Sequence, residues 1–203
     1  MKTTGYIPSV NLQDDPDEAL IAVLARGGYP AREAFTVLVR RHTQVFHRLA
    51  YRLLNDSAEA EDVVQHCFIK LWERPGIFNP DRNARFTTWF YRVVSNRALD
   101  VRNARRMVPM PENFDAPSND LAQDAAMEQE AEQASVRDAF ATLPPRQQQA
   151  LALCYDQGLS NQEAADVMGL TLKAVQGLIS RGKDQLRKKL GQTENKRRAQ
   201  YAA

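Results

Sequence analysis

The chain has 203 residues, 27 Lys and Arg against 25 Asp and Glu, and a formal net charge of +2. That length allows one domain or two small ones, and no apolar run is long enough to span a membrane. The polar, acidic N-terminus predicts no secretory signal, and the widely separated Cys67 and Cys154 read as buried thiols of a reducing compartment, not as a disulfide or metal pair. The near-neutral total hides a partition. Residues 40–106 and 173–198 are rich in Lys and Arg, whereas residues 107–136 contain neither and carry seven acids. Two basic blocks around an acidic one argue for two nucleic-acid contacts joined by a segment that avoids DNA.

Residues 1–14 read as a loose, solvated tail. Asp15 is placed to cap a first helix, with Pro16 at its first position and Asp17 and Glu18 in its first turn, and the Gly27-Gly28 pair ends it. A long helix follows Pro30. Its apolar stripe is Phe35, Leu38, Val39, Val45, Phe46, Leu49 and Leu53, with His42 on the same side. His42 and His47 lie five apart with no Cys or carboxylate to complete a metal site, so both read as core or boundary histidines.

The third helix starts at a capping box formed by Asp56 and Glu59 and stops at Pro75-Gly76. One stripe, Ala60, Val63, Val64, Cys67, Phe68 and Leu71, is core. A second stripe, Asp62, Gln65, His66, Ile69, Trp72 and Glu73, lies about 200° around the helix and faces away from that core. A solvated face has no need of Ile69 and Trp72, so this stripe reads as a docking surface, unless Trp72 folds back onto its own domain.

A loop over residues 76–84 precedes a fourth helix, roughly 86–103. Its expected buried stripe is Phe86, Phe90, Val93, Val94, Ala98 and Val101. Its other faces carry Trp89, Tyr91, Arg92, Ser95, Asn96, Arg97, Asp100 and Arg102. Aromatics interleaved with Arg and Asn suit unpaired bases, which need flat surfaces, cations and amides; the same aromatics also serve as plain core. Residues 107–124 hold three prolines, several acids and no periodicity, as a flexible linker does. A further helix to Thr142 and one restarted by Pro144-Pro145 lead to Gly158.

From Leu159 onward the pattern is sharper. Ser160 and Glu163 form a capping box for a helix over 161–168, Gly169 suits the left-handed residue that ends it, and Thr171 caps the next helix. That helix is expected to bury Leu172, Val175, Ile179, Leu186 and Leu190. It offers Lys173, Gln176, Gly177, Ser180, Arg181, Lys183 and Arg187 on its other side. A helix-turn-helix and an ordinary αα-hairpin both fit this pattern. After Leu190 the tail is polar, basic and expected to be mobile.

Together these motifs resemble a known family. The run from Ala60 to Trp72, Ala-Glu-Asp-Val-Val-Gln-His-Cys-Phe-Ile-Lys-Leu-Trp, resembles the second conserved region of bacterial sigma factors. The run Phe86 to Asp100 is similar to their promoter-melting and −10-reading segment. Leu143-Pro144-Pro145-Arg146-Gln147-Gln148 and the motif after it are similar to their −35-reading domain. With two domains and a short linker, the chain resembles the extracytoplasmic-function (ECF) group. The resemblance implies an all-α fold: a helical domain over 15–106 that binds core polymerase and the −10 element, a flexible acidic linker over 107–124, a helix-turn-helix domain over 125–190 and a basic tail over 191–203. It implies a cytoplasmic transcription initiation factor with no bond chemistry, no cofactor and no metal. Its partners would be core RNA polymerase, promoter DNA and a separate anti-sigma protein, since no segment reads as self-inhibiting.

The implied core-polymerase contacts are Asp62, Gln65, Ile69 and Trp72. The implied −10 contacts are Asn83 and Arg85 in the loop with Trp89, Tyr91, Arg92, Asn96, Arg97 and Asp100 on the helix. The implied −35 contacts are Thr171, Lys173, Gln176, Gly177, Ser180, Arg181 and Lys183. The family often has Lys and Arg at the third and fifth positions after Lys173, where this chain has Gln176 and Leu178. Fully extended, the eighteen linker residues reach roughly 60 Å at ~3.3 Å each, nearly two turns of DNA at ~34 Å per turn. A conventional helix-turn-helix regulator remains the competing function; the docking stripe and the run from Phe86 to Asp100 argue against it. An enzyme is the weakest alternative, since no Ser-His-Asp set, metal cluster or phosphate loop is present.

Overall fold

Helical spacing of apolar residues governs nearly every segment of this chain. The computed structural model describes residues 12–78, 85–107 and 124–201, and among them there are helices and turns but no strand. The helices are α1 (Asp17–Arg26), α2 (Tyr29–Leu54), α3 (Ser57–Glu73), α4 (Phe86–Met107), α5 (Asp124–Ala141), α6 (Pro145–Leu151), α7 (Asn161–Met168) and α8 (Leu172–Tyr201). Residues 108–123 and residues 79–84, with Asn83, lie outside the described residues, as do residues 1–11.

In the N-terminal domain α2 is the central post, packed against α1, α3 and α4. Phe46 from α2, Phe68 from α3 and Phe86 and Phe90 from α4 interlock, with Phe46–Phe90 centroids 4.7 Å apart and Phe68–Phe90 4.9 Å. Offset and edge contacts of this kind favour aromatic pairs beyond the area they bury. Asn55 ends α2 in the left-handed conformation (φ 55°), its N–H bonding back to the Tyr51 carbonyl at 2.7 Å.

Two expectations at the N-terminus are corrected. Pro16, not Asp15, holds the capping position of α1, and no side chain caps the helix. Asp17 is drawn instead into pairs with Arg41 at 2.9 Å and His42 at 2.8 Å. The tail is not loose up to residue 14, because Leu12 is buried and the Gln13 and Asp15 carbonyls accept from Arg41. Of the α3 capping box, one half is seen: Asp56 accepts from the Glu59 N–H at 2.9 Å, while the Glu59 carboxylate turns to Arg105.

In the C-terminal domain α6 passes through a π turn, Ala152–Asp156, before α7. The capping box of Ser160 and Glu163 is complete, Gly169 is left-handed (φ 64°), and the Thr171 hydroxyl accepts from the Ala174 N–H at 3.2 Å. Val175 and Ile179 are buried as the spacing requires, but Leu172 is 39% exposed. It is the first residue of α8. Gly182 explains itself: a Cβ there would lie 2.8 Å from the Leu151 side chain, so its absence lets α8 close on α6. Helix α8 also runs on to Tyr201, so residues 191–201, read from the sequence as a polar tail, continue the helix.

Candidate polymerase and promoter interfaces

Every member of the second α3 stripe, Asp62, Gln65, His66, Ile69, Trp72 and Glu73, is exposed. Ile69 is 52% and Trp72 40% exposed, although the Trp72 ring also leans on Phe35 at 5.1 Å. Trp72 is therefore partly exposed while its ring folds back onto its own domain. Beside this stripe runs an apolar groove of about 420 Å³ whose α2 wall is Phe35, Val39, Thr43 and His47 and whose α3 wall includes Val64, Gln65, Phe68 and Ile69. The α2 wall was not legible as part of a site: Phe35 and Val39 carry the same spacing whether they are wholly or half covered.

Helix α4 is divided into three faces. Phe86, Phe90, Val94 and Ala98 are buried in the aromatic core. Arg85, Asn96 and Asp100 share an exposed stripe, with Arg97 exposed beside it. Trp89, on the same stripe, is half-buried against Phe78 and Phe86. A third flank meets the C-terminal domain. Tyr91 is half-buried against Phe46 at 5.0 Å, and burial raises its phenol pKa. Arg92 donates to the Val167 carbonyl at 2.8 Å and to that of Asp166, at the C-terminal end of α7, where a cation is favoured. Ser95 is fully buried and accepts from the Gln149 amide at 2.8 Å. Arg92 is thus turned toward α7 and Tyr91 packs on Phe46 of α2, both away from the Arg85–Asn96–Asp100 stripe.

The outer face of α8 is open. Lys173, Gln176, Ser180, Arg181 and Arg187 are exposed, as is Thr171 in the turn, while Gly177 is half-buried beneath the Arg181 guanidinium. Lys183 sits on the flank with its ammonium 4.5 Å from the centre of the exposed Tyr155 ring, a cation–π contact.

Charges elsewhere serve the fold. The Glu59 N–H is the leading cause that holds the Asp56 carboxyl below its ordinary value, and Arg105 adds to it. The Ser160 N–H does the same for Glu163. Burial pushes the Cys67 thiol up to about 12 and raises that of Cys154, so neither is disposed to react as a thiolate. Among the described residues no group of three His, Cys, Asp or Glu side chains could hold a metal ion, and no helix is long and apolar enough to cross a membrane.

Comparison with known proteins agrees with this geometry. Residues 38–108 match the Sigma-70 region 2 family and residues 133–186 match Sigma-70, region 4. The first match spans most of α2 through α4, and the second spans α6, α7 and the first half of α8. The ECF RNA polymerase sigma factor SigE of Mycolicibacterium smegmatis is 33% identical over 167 residues, 80% of this chain and 64% of that one, so the chain spans about two thirds of that relative's length. The ECF RNA polymerase sigma factor SigM of Mycobacterium tuberculosis is 30% identical over 188 residues, 92% of each chain. The solved structure of CnrH in complex with the cytosolic domain of CnrY superposes with a TM-score of 0.64 at 29% identity, covering 87% of this chain and 98% of CnrH. With its region 2 and region 4 domains in order, and a relative matched over nearly its whole length, the chain belongs to the ECF group of RNA polymerase sigma factors.

Proposed function

We propose that this chain docks on core RNA polymerase through the exposed α3 stripe and the α2–α3 groove, and there reads a promoter at two places. In this reading Asp62, Gln65, Ile69 and Trp72 make the polymerase contacts, joined by Phe35 and Val39 from α2. Arg85, Trp89, Asn96, Arg97 and Asp100, with Asn83 from the adjoining loop, hold unpaired bases of the −10 element. Tyr91 and Arg92 join them once their flank is uncovered. Thr171, Lys173, Gln176, Gly177, Ser180, Arg181 and Lys183 contact the −35 element. The chain does this as a cytoplasmic initiation factor that binds and opens DNA without breaking a covalent bond.

The observation that carries the reading is the exposure of Ile69 and Trp72 beside an apolar groove, on a domain that also presents a helix rich in Arg and Asn. A conventional regulator of duplex DNA would need the open face of α8 and nothing like the α3 stripe. A separate inhibitor protein belongs to the proposal as well. CnrH was solved with the cytosolic domain of a second protein, and a partner of that kind would compete with polymerase for the α2–α3 groove.

The test is co-elution with core polymerase on gel filtration, followed by titration of the Trp72→Ala variant. Wild-type protein co-elutes, and Trp72→Ala weakens binding by about 2 kcal/mol or more if Trp72 is an interface hot spot. Unchanged affinity in a variant of unchanged stability would reject this docking face.

A further inference from the structure

We propose that the cleft lined by Arg52 of α2, Arg102 of α4 and Arg137 of α5 is a binding site for a small phosphate-bearing anion. None of the residues assigned above to polymerase or promoter lines it, so the inference stands apart from that function.

The cleft has a volume of about 190 Å³, and Tyr51, Phe140 and Gln148 complete its walls. Among the described residues no Asp or Glu lines it. Arg102 is only 9% exposed and Arg137 is half-buried. Gathering three cations around one partly dry space raises their mutual repulsion, and an anion placed among them relieves it. Arg52 also has a task in the fold. It pairs with Asp156 of the π turn at 2.9 Å and lies over the Phe140 ring, 4.2 Å from its centre. Arg137 takes part in none of the ion pairs among the described residues. The carbonyl ends of α2 and α5 border the same cleft through Asn55 and Ala141, and they oppose an anion. Each end carries roughly half a negative charge, so with Asp156 counted the balance is still positive by roughly one charge.

The chemistry of the walls selects the ligand. A guanidinium is a planar fork of donors that meets the oxygens of a phosphoryl group two at a time. A phosphate monoester carries nearly two charges at neutral pH and a carboxylate one, which favours phosphate among three cations. The volume lies below the roughly 300 Å³ at which pockets begin to enclose whole drug-sized molecules. The cleft therefore takes a phosphoryl group, and anything attached to it extends past the exposed Tyr51 into solvent. A nucleic-acid strand is the poorer fit. Its successive phosphates call for a row of cations along an open surface, whereas these three meet at one recess.

The test uses the full chain with inorganic phosphate and methyl phosphate as probes, at an ionic strength held constant with chloride. Calorimetric titration should show one saturable site per chain. The melting temperature should rise with phosphate, because a ligand that binds the folded chain alone stabilises it. Arg137→Gln should weaken binding about tenfold or more, and Arg137→Lys should recover part of the loss. Arg102→Gln carries the same expectation; if it fails to fold, the two Arg137 variants decide alone. Arg26→Gln, which removes an exposed cation of α1 outside the cleft, should bind as wild type does. Whichever probe binds more tightly tells a free phosphate from an esterified one, and either order supports the site. No saturable binding up to about 10 mM phosphate, binding untouched by Arg137→Gln, or an equal loss in Arg26→Gln would overturn it. So would a single-stranded oligonucleotide that loses affinity in Arg137→Gln while neither phosphate binds, since the arginines would then be a nucleic-acid contact.

Discussion

The two helices proposed to meet DNA, α4 and α8, carry similar side chains, yet the fold treats them differently. Helix α8 rests one face, Val175, Ile179 and Gly182, on its domain and leaves Lys173, Gln176, Ser180 and Arg181 entirely to solvent. Helix α4 is gripped from two directions, by the aromatic core through Phe86 and Phe90 and by the C-terminal domain through Arg92 and Ser95. A helix at the rim can read duplex DNA as it stands. A helix in the middle presents only the stripe that its neighbours leave, and its remaining flank depends on where the other domain sits.

The strongest way to break that comparison is to remove the anchor of α4. Phe90 is fully buried and touches four aromatic rings, those of Phe46, Phe68, Phe86 and Trp89. Phe90→Ala should lower stability by about 3–5 kcal/mol, measured by urea denaturation. A loss below about 1 kcal/mol would mean that α4 is not the gripped helix described above.

A smaller effect sharpens the reading of α8. Gln176 is exposed near the N-terminal end of the helix proposed to enter a major groove, where it could pair bidentately with adenine. Gln176→Ala should change base preference at one or two −35 positions by about 1–3 kcal/mol per lost contact, read from a randomised promoter library. Lys188 lies more than three turns further on. Lys188→Ala should weaken all promoters alike and reduce the salt dependence by about one phosphate.

The two glycines of α8 should part company. At Gly182 a methyl group meets the buried Leu151 side chain, so Gly182→Ala should destabilise by about 1–2 kcal/mol even after the better helix propensity of Ala. At Gly177 a methyl group meets only the mobile end of Arg181, and Gly177→Ala should stabilise by up to about 1 kcal/mol. Equal shifts in the two melting temperatures would contradict the close approach of α8 to α6.

The smallest effect is electrostatic and concerns the support of α2. Burial works to raise the Asp17 carboxyl, but the hydrogen bonds from His42 and Arg41 outweigh it and hold the group below its ordinary 3.8. A depressed carboxyl contributes stability that is fully present above the ordinary value and is lost as pH falls through the depressed one. Asp17→Asn should therefore lower the melting temperature at neutral pH and flatten its decline below about pH 4. Asp156 has the opposite sign: burial raises its carboxyl despite Arg52, so it adds nothing to that acid loss.

What the sequence revealed divides along the same line as the helices. The capping box of Ser160 and Glu163, the left-handed Gly169 and the α3 stripes were legible because each is decided within four residues. The exposed face of α8 was legible because nothing else in the chain competes for it. The Gln149–Ser95 bond was hidden, since it joins residues 54 apart and either side chain alone reads as an ordinary polar group. Arg92 carried the spacing and chemistry of a DNA contact and gave no sign that α7 would claim it. Leu172 followed the apolar period and was still left outside, because periodicity marks a face but does not say how far along a helix its neighbour extends. Asp15 lost its expected cap for a related reason: Arg41 and His42, distant in sequence, draw on Asp17 and the adjoining carbonyls.

The most direct measurement is transcription from a randomised promoter library by this chain with core polymerase, sequencing the promoters used by wild type, Asn96→Ala and Gln176→Ala. The account predicts two separate sequence boxes. Asn96→Ala should alter use of the downstream box and Gln176→Ala only the upstream one. A single box, or the same box altered by both variants, would contradict the assignment of α4 and α8 to separate promoter elements.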